Sequence, residues 1–357
     1  MNRQRFLALG VAALVVIALG LYFSAHRNPT QDSPGVELFP FLATGMNSVT
    51  AVSVRKGGPT PLVTVHKDGT HWTVMERGDY PADMSKLRKL LAALRDAKII
   101  EEKTADPARY AEIGVEDPIK PGATGAEITV IASADKLGLI VGKPVGEGNF
   151  VRRTGEKTSY SVEPAIAAET DPRFWIDTRL IDVPAASIQS IEVKPASGPG
   201  YTIRRSNAAD STFSLEGAPP GRKPLEAAAL APGSSTLAGL DAEDVSPAAD
   251  VDFSQASQAT VTLTDGNVLT LTGTVIAAKH WLSVKASKDA ALTGKAQGRA
   301  FEIASYRYDA IFKPLEQMLV PKEGAATPPG APGSHPTKRA APQGPTPAAP
   351  TPAAPSS

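Results

Sequence analysis

The sequence predicts an α+β protein: an N-terminal transmembrane helix, two tandem β-hairpin–helix–β-meander–helix repeats, and a disordered Pro/Ala-rich C-terminal tail. Three observations predict it. Residues 6–23 carry no charge, one order of strand-like and helix-like segments occurs twice, and residues 324–357 hold no large apolar side chain. A chain of 357 residues exceeds the usual single core, so about two domains are expected once the tails are set aside. The boundaries follow as 1–27 for the cytoplasmic N-terminus and anchor, 28–47 for a stalk, 48–185 for the first repeat, 186–322 for the second and 323–357 for the tail.

From Phe6 to Phe23 the run FLALGVAALVVIALGLYF spans roughly 27 Å as a helix, near the hydrocarbon thickness of a bilayer. Arg3 and Arg5 precede it, whereas His26 and Arg27 are followed by Asp32 and Glu37. The positive-inside bias then leaves the N-terminus in the cytoplasm of a bacterial cell and the bulk of the chain in the periplasm, on a single-pass inner-membrane anchor. A cleaved signal peptide is the competing reading; the run is longer than an ordinary signal core. Residues 28–47, rich in Pro, Gly, Ser and Asn, read as a stalk, with order starting near Val49.

In the first repeat VTAVSVRK alternates, and PLVTVHKDGTHWTVMER places two β-rich runs around Asp68-Gly69, a strong hairpin signal. Leu62, Thr64, Trp72 and Val74 are its expected packed face. Met84, Leu87, Leu90, Leu91, Leu94 and Ile99 recur at helical spacing behind Pro81. A further helical turn is expected at Pro107–Ile113, then a loop from Gly114. AEITVIAS, KLGLIVGKP, NFVRRTG and TSYSVEP form the meander, and a closing helix is expected from Ala165 to Leu180, bringing Phe174, Trp175 and Leu180.

The second repeat follows the same order. SVTAVSV from Ser48 answers SIQSIEV from Ser187, and Trp72 and Val74 answer Phe213 and Leu215, a shift near 139 residues. EITVIAS answers ATVTLTD, the strand ending at Gly142 answers that ending at Gly273, and Phe150 answers Trp281, a shift nearer 131. RAFEIAS and SYRYDAIFKPLEQML answer the last strand and closing helix. Pro232 and Gly233 interrupt the second central helix, which is expected as two short ones. The tail cannot bury enough surface to offset chain entropy; a stiff Pro-rich spacer or partner ligand is the alternative.

Thirty-seven basic residues balance 37 acidic ones, which removes the charge footprint of a nucleic-acid binder. No cysteine is present, excluding disulfides, thiolate metal sites and a cysteine nucleophile. No phosphate-binding glycine pattern occurs in GPTPLV, GATGAE or GEGNF. His66 and His71 flank the Asp68-Gly69 turn, where a weak metal pair with Asp68 is conceivable, but solvent-facing hairpin positions are the simpler reading. The same holds for His280 beside Trp281, and for the acidic pairs Glu101–Glu102 and Glu243–Asp244, which read as solvated. Recurring aromatics, Trp72, Phe150, Trp175, Phe213, Trp281, Tyr306, Tyr308 and Phe312, read as core anchors ahead of a peptide or glycan groove. No catalytic, cofactor-binding or metal residue is assigned, and no cofactor is expected.

HWTVMERGDYPADMSKLRKLLAALRDAKI, YAEIGVEDP, KLGLIVGKPVGEGNFVRRTGEKTSYSV and FWIDTRLIDVPAASIQSIEV together resemble the domain of unknown function 4340 family over most of residues 48–320. The resemblance implies single-pass membrane proteins found beside ABC-type transporter components, and it brings no catalytic residues. This chain departs from the pattern in its second central helix and its Pro-Ala tail. The expectation is a non-enzymatic, membrane-anchored periplasmic accessory or binding protein, with an ABC transporter permease or ATPase or another envelope protein as partner and no nucleic acid. The alternative is a periplasmic hydrolase of envelope glycans or peptides, which needs a cleft between the repeats lined by two acidic groups in unlike environments.

Overall fold

A computed structural model describes residues 35–133, 135–205, 212–226 and 232–321. The expected anchor at 6–23 and the tail at 323–357 lie outside the described residues, among which no helix is long and apolar enough to cross a membrane. The body is mostly antiparallel β-sheet, which overturns the expected α+β architecture of hairpin–helix–meander–helix repeats.

Ten strands form the first sheet: β1 (Val36–Glu37), β2 (Val49–Arg55), β3 (Val63–Asp68), β4 (His71–Val74), β5 (Tyr80–Pro81), β6 (Lys98–Glu102), β7 (Ala126–Ala132), β8 (Asp135–Val145), β9 (Gly148–Arg153) and β10 (Ser159–Glu163). Their order is β1-β6-β10-β9-β8-β7-β2-β3-β4-β5. Then come β11 (Arg179–Ile181), β12 (Ile188–Lys194), β13 (Tyr201–Arg205), β14 (Phe213–Glu216), β15 (Leu240–Asp241), β16 (Asp244–Pro247), β17 (Ser257–Leu263), β18 (Val268–Ile276), β19 (Lys279–Ala286) and β20 (Arg299–Ile303). β11 pairs with β15, and the rest form a second sheet ordered β14-β13-β12-β17-β18-β19-β20-β16.

Without β1 and β5 the first order is the second one reversed, with β6 standing for β16 and β4 for β14. Val52 faces Val130 in one sheet and Ile191 faces Val261 in the other, shifts of 139 and 131 residues. β18 lies one residue further on than the sequence match suggests. Val141 pairs with Ala126 and Val151, as Gly273 pairs with Ser257 and Leu282, so Gly142 corresponds to Thr274 and not to Gly273. The reason is the turn before the strand: Ile131 pairs with Lys136, but Thr262 with Val268, one more intervening residue.

Alternation sets the faces of these strands. Val63, Val65 and Val74 are buried while Leu62 is exposed, so the first hairpin presents the odd positions of β3 to the core, opposite to the expected Leu62 and Thr64. Its turn is Gly69-Thr70, with Asp68 paired to His71 and Gly69 at φ 57°.

Several helices are shorter than the sequence pattern suggests. The leucine stripe forms α1 (Met84–Asp96), burying Leu87, Leu90, Leu91 and Leu94 against the sheet. The expected helix at 165–180 contracts to one turn, α2 (Pro172–Trp175), because Asp171 caps it, Pro172 occupies its first position and Arg179–Ile181 leaves as a strand. Nucleating so short a helix inside a longer segment gains little. One short helix, Pro232–Ser235, is described where two were expected, and residues 227–231 lie outside the described residues. The last segments are α3 (Ala290–Ala296) and α4 (Ser305–Ile311), the latter stopped before Pro314, after which a 3₁₀ turn runs Leu315–Met318.

Residues 36–47, expected as the end of a stalk, are part of the body. β1 pairs with β6, and Leu38 and Leu42 are fully buried. The Leu38 amide donates to Ala97 O as the Val183 amide donates to Leu237 O, and Ser48 O accepts from Ser133 as Ser187 O accepts from Thr264. The entry segments of the two copies are therefore equivalent. One hydrophobic cluster joins the inner faces of both sheets, from Leu38 to Leu319.

The outer faces differ. The connection 103–125 between β6 and β7 folds over the first sheet and buries a second cluster of Tyr110, Val115 and Ile140, packed by Ile113 and Phe150. Glycines make room for it: a Cβ on Gly142 would stand 2.4 Å from Ile113 O, and one on Gly125 2.1 Å from Gly114 O. Beneath the flap Glu127 is 3% exposed, bonded to Arg55 and to Thr154 Oγ1 (2.7 Å), and Arg152 donates to Val115 O (2.9 Å). The matching connection in the second copy is only 248–256, and Thr260, Thr262, Thr270, Thr272 and Ser283 on that face remain partly open to water.

Candidate functional site

A groove of about 480 Å³ runs between α1 and the segment 165–175. Asp83 builds one end, as its carboxylate accepts from the amides of Ser85 (2.8 Å) and Lys86 (3.3 Å) and from Ser85 Oγ (2.6 Å). These bonds cap the helix. Burial alone would push the Asp83 carboxyl up, but the bonds from Ser85 and Lys86 outweigh it and hold the group below its ordinary value.

Residues 165–175 form a strap. Ile166 is buried and its amide donates to Asn149 Oδ1 (2.7 Å); Trp175 is buried and its Nε1 donates to Glu169 O (3.1 Å). The Asp83 amide donates to Trp175 O (2.7 Å), and the Asp177 amide to Pro81 O (2.9 Å), which ties the strap to the start of α1. Arg173 clasps Asp171 at 2.6 Å, and these bonds hold the Asp171 carboxyl low.

Phe174, pinned between these anchors, is 40% exposed. Its ring meets Trp175 edge-on with centroids 5.2 Å apart, and the Lys86 ammonium sits 4.7 Å above it while donating to Phe174 O (2.7 Å). Leu90, Ala93, Ala165, Ala167 and Trp175 supply an apolar floor, and the rim holds Lys86, paired with Asp83 at 3.4 Å, and the exposed Lys89. Such a groove suits an apolar segment that carries a negative charge. Ser85, the one hydroxyl of the lining, already donates to Asp83.

Ion pairs cross the junction of the two copies. Arg77 reaches Asp244 (2.5 Å), Lys295 reaches Asp177 (2.7 Å), and Arg299 donates to Gly78 O (3.1 Å). Tyr80 fills the space between, fully buried and edge-on to Phe301 with centroids 5.8 Å apart. Burial raises its phenol well above the ordinary value, the charge of Asp177 adding to this and that of Arg299 opposing it. Asp177 and Asp244 thus each meet a cation from the other copy. These pairs lock the two copies together.

The residues singled out in the sequence are dispersed. His66 stands opposite Thr73 and turns to Asp79 (3.4 Å), whereas His71 stands opposite Asp68 with Nδ1 3.2 Å from Thr70 Oγ1. His280 packs on the Tyr308 ring, centroids 5.1 Å apart. Glu101 pairs with Lys103 and Asp244 with Arg77, while Glu243 is exposed. Among the described residues no three of His, Cys, Asp and Glu gather as a metal site would require. The strap is hidden in the sequence because residues 165–180 read as one closing helix; the Asp-Pro pair ahead of Phe174 and Trp175, a cap and first-position proline, is the signal that a helix starts only there.

A family model described as a domain of unknown function, DUF4340, matches residues 72–264, from β4 across α1 and the strap to the end of β17. No curated protein and no solved structure matches the chain. The matched span is more than half of the 357 residues, and the chain belongs to the DUF4340 family.

Proposed function

We propose that this chain is a non-enzymatic accessory or binding protein, held at the periplasmic face of a bacterial inner membrane through residues 6–23, that works beside an ABC-type transport or envelope complex by gripping a partner segment in the α1–strap groove. The groove carries the reading: an apolar floor with the exposed Phe174 at one wall and the exposed Lys89 at the rim favours recognition of an apolar segment bearing a carboxylate. The placement is supported by the uncharged run with Arg3 and Arg5 before it.

A photo-crosslinking residue at Ala93 in cells tests it. The expected outcome is a crosslink to one membrane protein, lost when Lys89→Glu reverses the rim charge or Ala167→Trp fills the floor. Absence of any membrane-protein adduct, with the chain folded and at normal abundance, ends the binding reading. A periplasm-dependent reporter fused after residue 320 tests placement separately, and activity only in the cytoplasm would end that part.

A further inference from the structure

The two copies finish one equivalent hairpin in opposite ways. Between β8 and β9, Val145 pairs with Gly148 and the turn is Gly146-Glu147, with Gly146 at φ 56°. Between β18 and β19, Ile276 pairs with Lys279 and the turn is Ala277-Ala278, at φ 49° and 64°. Two left-handed residues make the tight hairpin turn that ordinarily takes Asn-Gly, and an alanine Cβ is strained there. Strain of this kind is held by the surrounding structure and clusters at functional sites.

The turn is also apolar where polar residues are expected. Val275 is 49% and Ile276 38% exposed, and Ala277 and Ala278 are exposed beside them. Behind the tip stand Trp281, under the Lys279 ammonium that also pairs with Glu302 (2.6 Å), and the 66% exposed Tyr306, which follows the end of β20 where Ile303 pairs with His280. Aliphatic residues at the tip with aromatics behind them match the order a chain meets on entering a bilayer, acyl region and then interface.

We propose that the β18–β19 turn dips into the lipid surface and fixes the orientation of the body on the membrane. The inference rests on the proposed tether, since a two-residue wedge binds lipid weakly unless it is held nearby. Only residues 24–35 separate Phe23 from Val36, so the body stays within about 40 Å of the anchor's end. A convex turn offers too little area for a protein interface of ordinary size, which favours lipid as the occupant.

The chain has no cysteine, so Ile276→Cys and Glu147→Cys each create a single labelling site. The full chain, labelled with an environment-sensitive dye, is reconstituted into phosphatidylethanolamine–phosphatidylglycerol vesicles containing nitroxide lipids. Quenching by lipid is expected to be at least about twofold greater at position 276 than at 147, with aqueous iodide showing the reverse order. Equal iodide access at both positions, in a chain that floats with the vesicles, overturns the tip contact and leaves the tether standing. A chain that fails to float overturns both.

Discussion

On the outer face of the first sheet, the 103–125 connection buries Tyr110, Val115 and Ile140; on the same face of the second, the connection is 248–256 and a row of threonines meets water. One strand order therefore supports a sheet covered on both faces and a sheet covered on one. The difference is written in small residues. Gly125 and Gly142 let the flap backbone approach closely, and the places they hold are taken in the second copy by Ala256 and Thr274, whose side chains would block it. Cover also changes what polar groups must do: beneath the flap Glu127 and Arg152 are buried and bonded, whereas the equivalent Gln258 and Ser283 stay partly solvated.

The largest effect should come from emptying the flap. Tyr110→Ala removes a buried ring that donates to Lys157 O and stacks on Arg152 with 4.6 Å from guanidinium to centroid, and is expected to cost about 4 kcal/mol in urea denaturation. Trp281→Ala, at the place of Phe150 in the open sheet, should cost about 1 kcal/mol, because a half-exposed side chain loses less on truncation. Equal losses would mean that the second face is covered in solution too.

Next in size is the glycine exchange. Gly142→Thr drives a Cβ toward Ile113 O and Val115 Cγ1, at 2.4 and 2.8 Å, and should cost about 3 kcal/mol while freeing the amides of 110–115 to hydrogen exchange. The mirror change, Thr274→Gly, meets no such obstacle and should cost about 1 kcal/mol, the ordinary penalty of a flexible residue in a strand. If both cost the same, close approach of the flap is not what the glycine serves.

Strand segments were legible in the sequence because period-two alternation reports burial directly, and the shifts of 139 and 131 residues follow from pairs such as Val52–Val130 and Ile191–Val261. Helices were less so. MSKLRKLLAALRD shows its apolar stripe with Asp83 just ahead of it as the cap, but AIAAETDPRFWID has helical composition and is kept from one long helix by the Ile166 amide donating to Asn149 Oδ1 and by Trp175 Nε1 turning back to Glu169 O within the segment. The entry segment 36–47 was hidden for the converse reason: Pro, Gly and Asn suggest a linker, and only contact with β6 and the core shows that Leu38 and Leu42 belong inside. The groove shares this opacity, since neither of its walls contains a motif and their meeting depends on the strap's path.

The cap gives a smaller, pH-dependent contrast. Asp83 is held below its ordinary value in the folded chain, so its contribution is fully present above about pH 4 and is lost as pH falls through the lower folded value. Asp83→Asn keeps the cap at neutral pH, within about 0.5 kcal/mol, and should remove part of the acid limb of the stability profile; Asp83→Ala should cost about 1 kcal/mol at pH 7. An unchanged acid limb in Asp83→Asn would assign acid sensitivity to other carboxylates.

The smallest effect has the opposite sign and bears on the strained turn. Ala278→Gly places a residue without a Cβ at φ 64°, and should stabilise the chain by about 0.4 kcal/mol in detergent, against a loss of similar size for Gly146→Ala at φ 56° in the first copy. A glycine would make the second turn a better turn, so its absence means that the fold gives up stability to keep alanines at an exposed tip. Should Ala278→Gly prove neutral or destabilising, the turn is not strained, and the Val275-to-Ala278 tip has no stability deficit left for a membrane contact to explain.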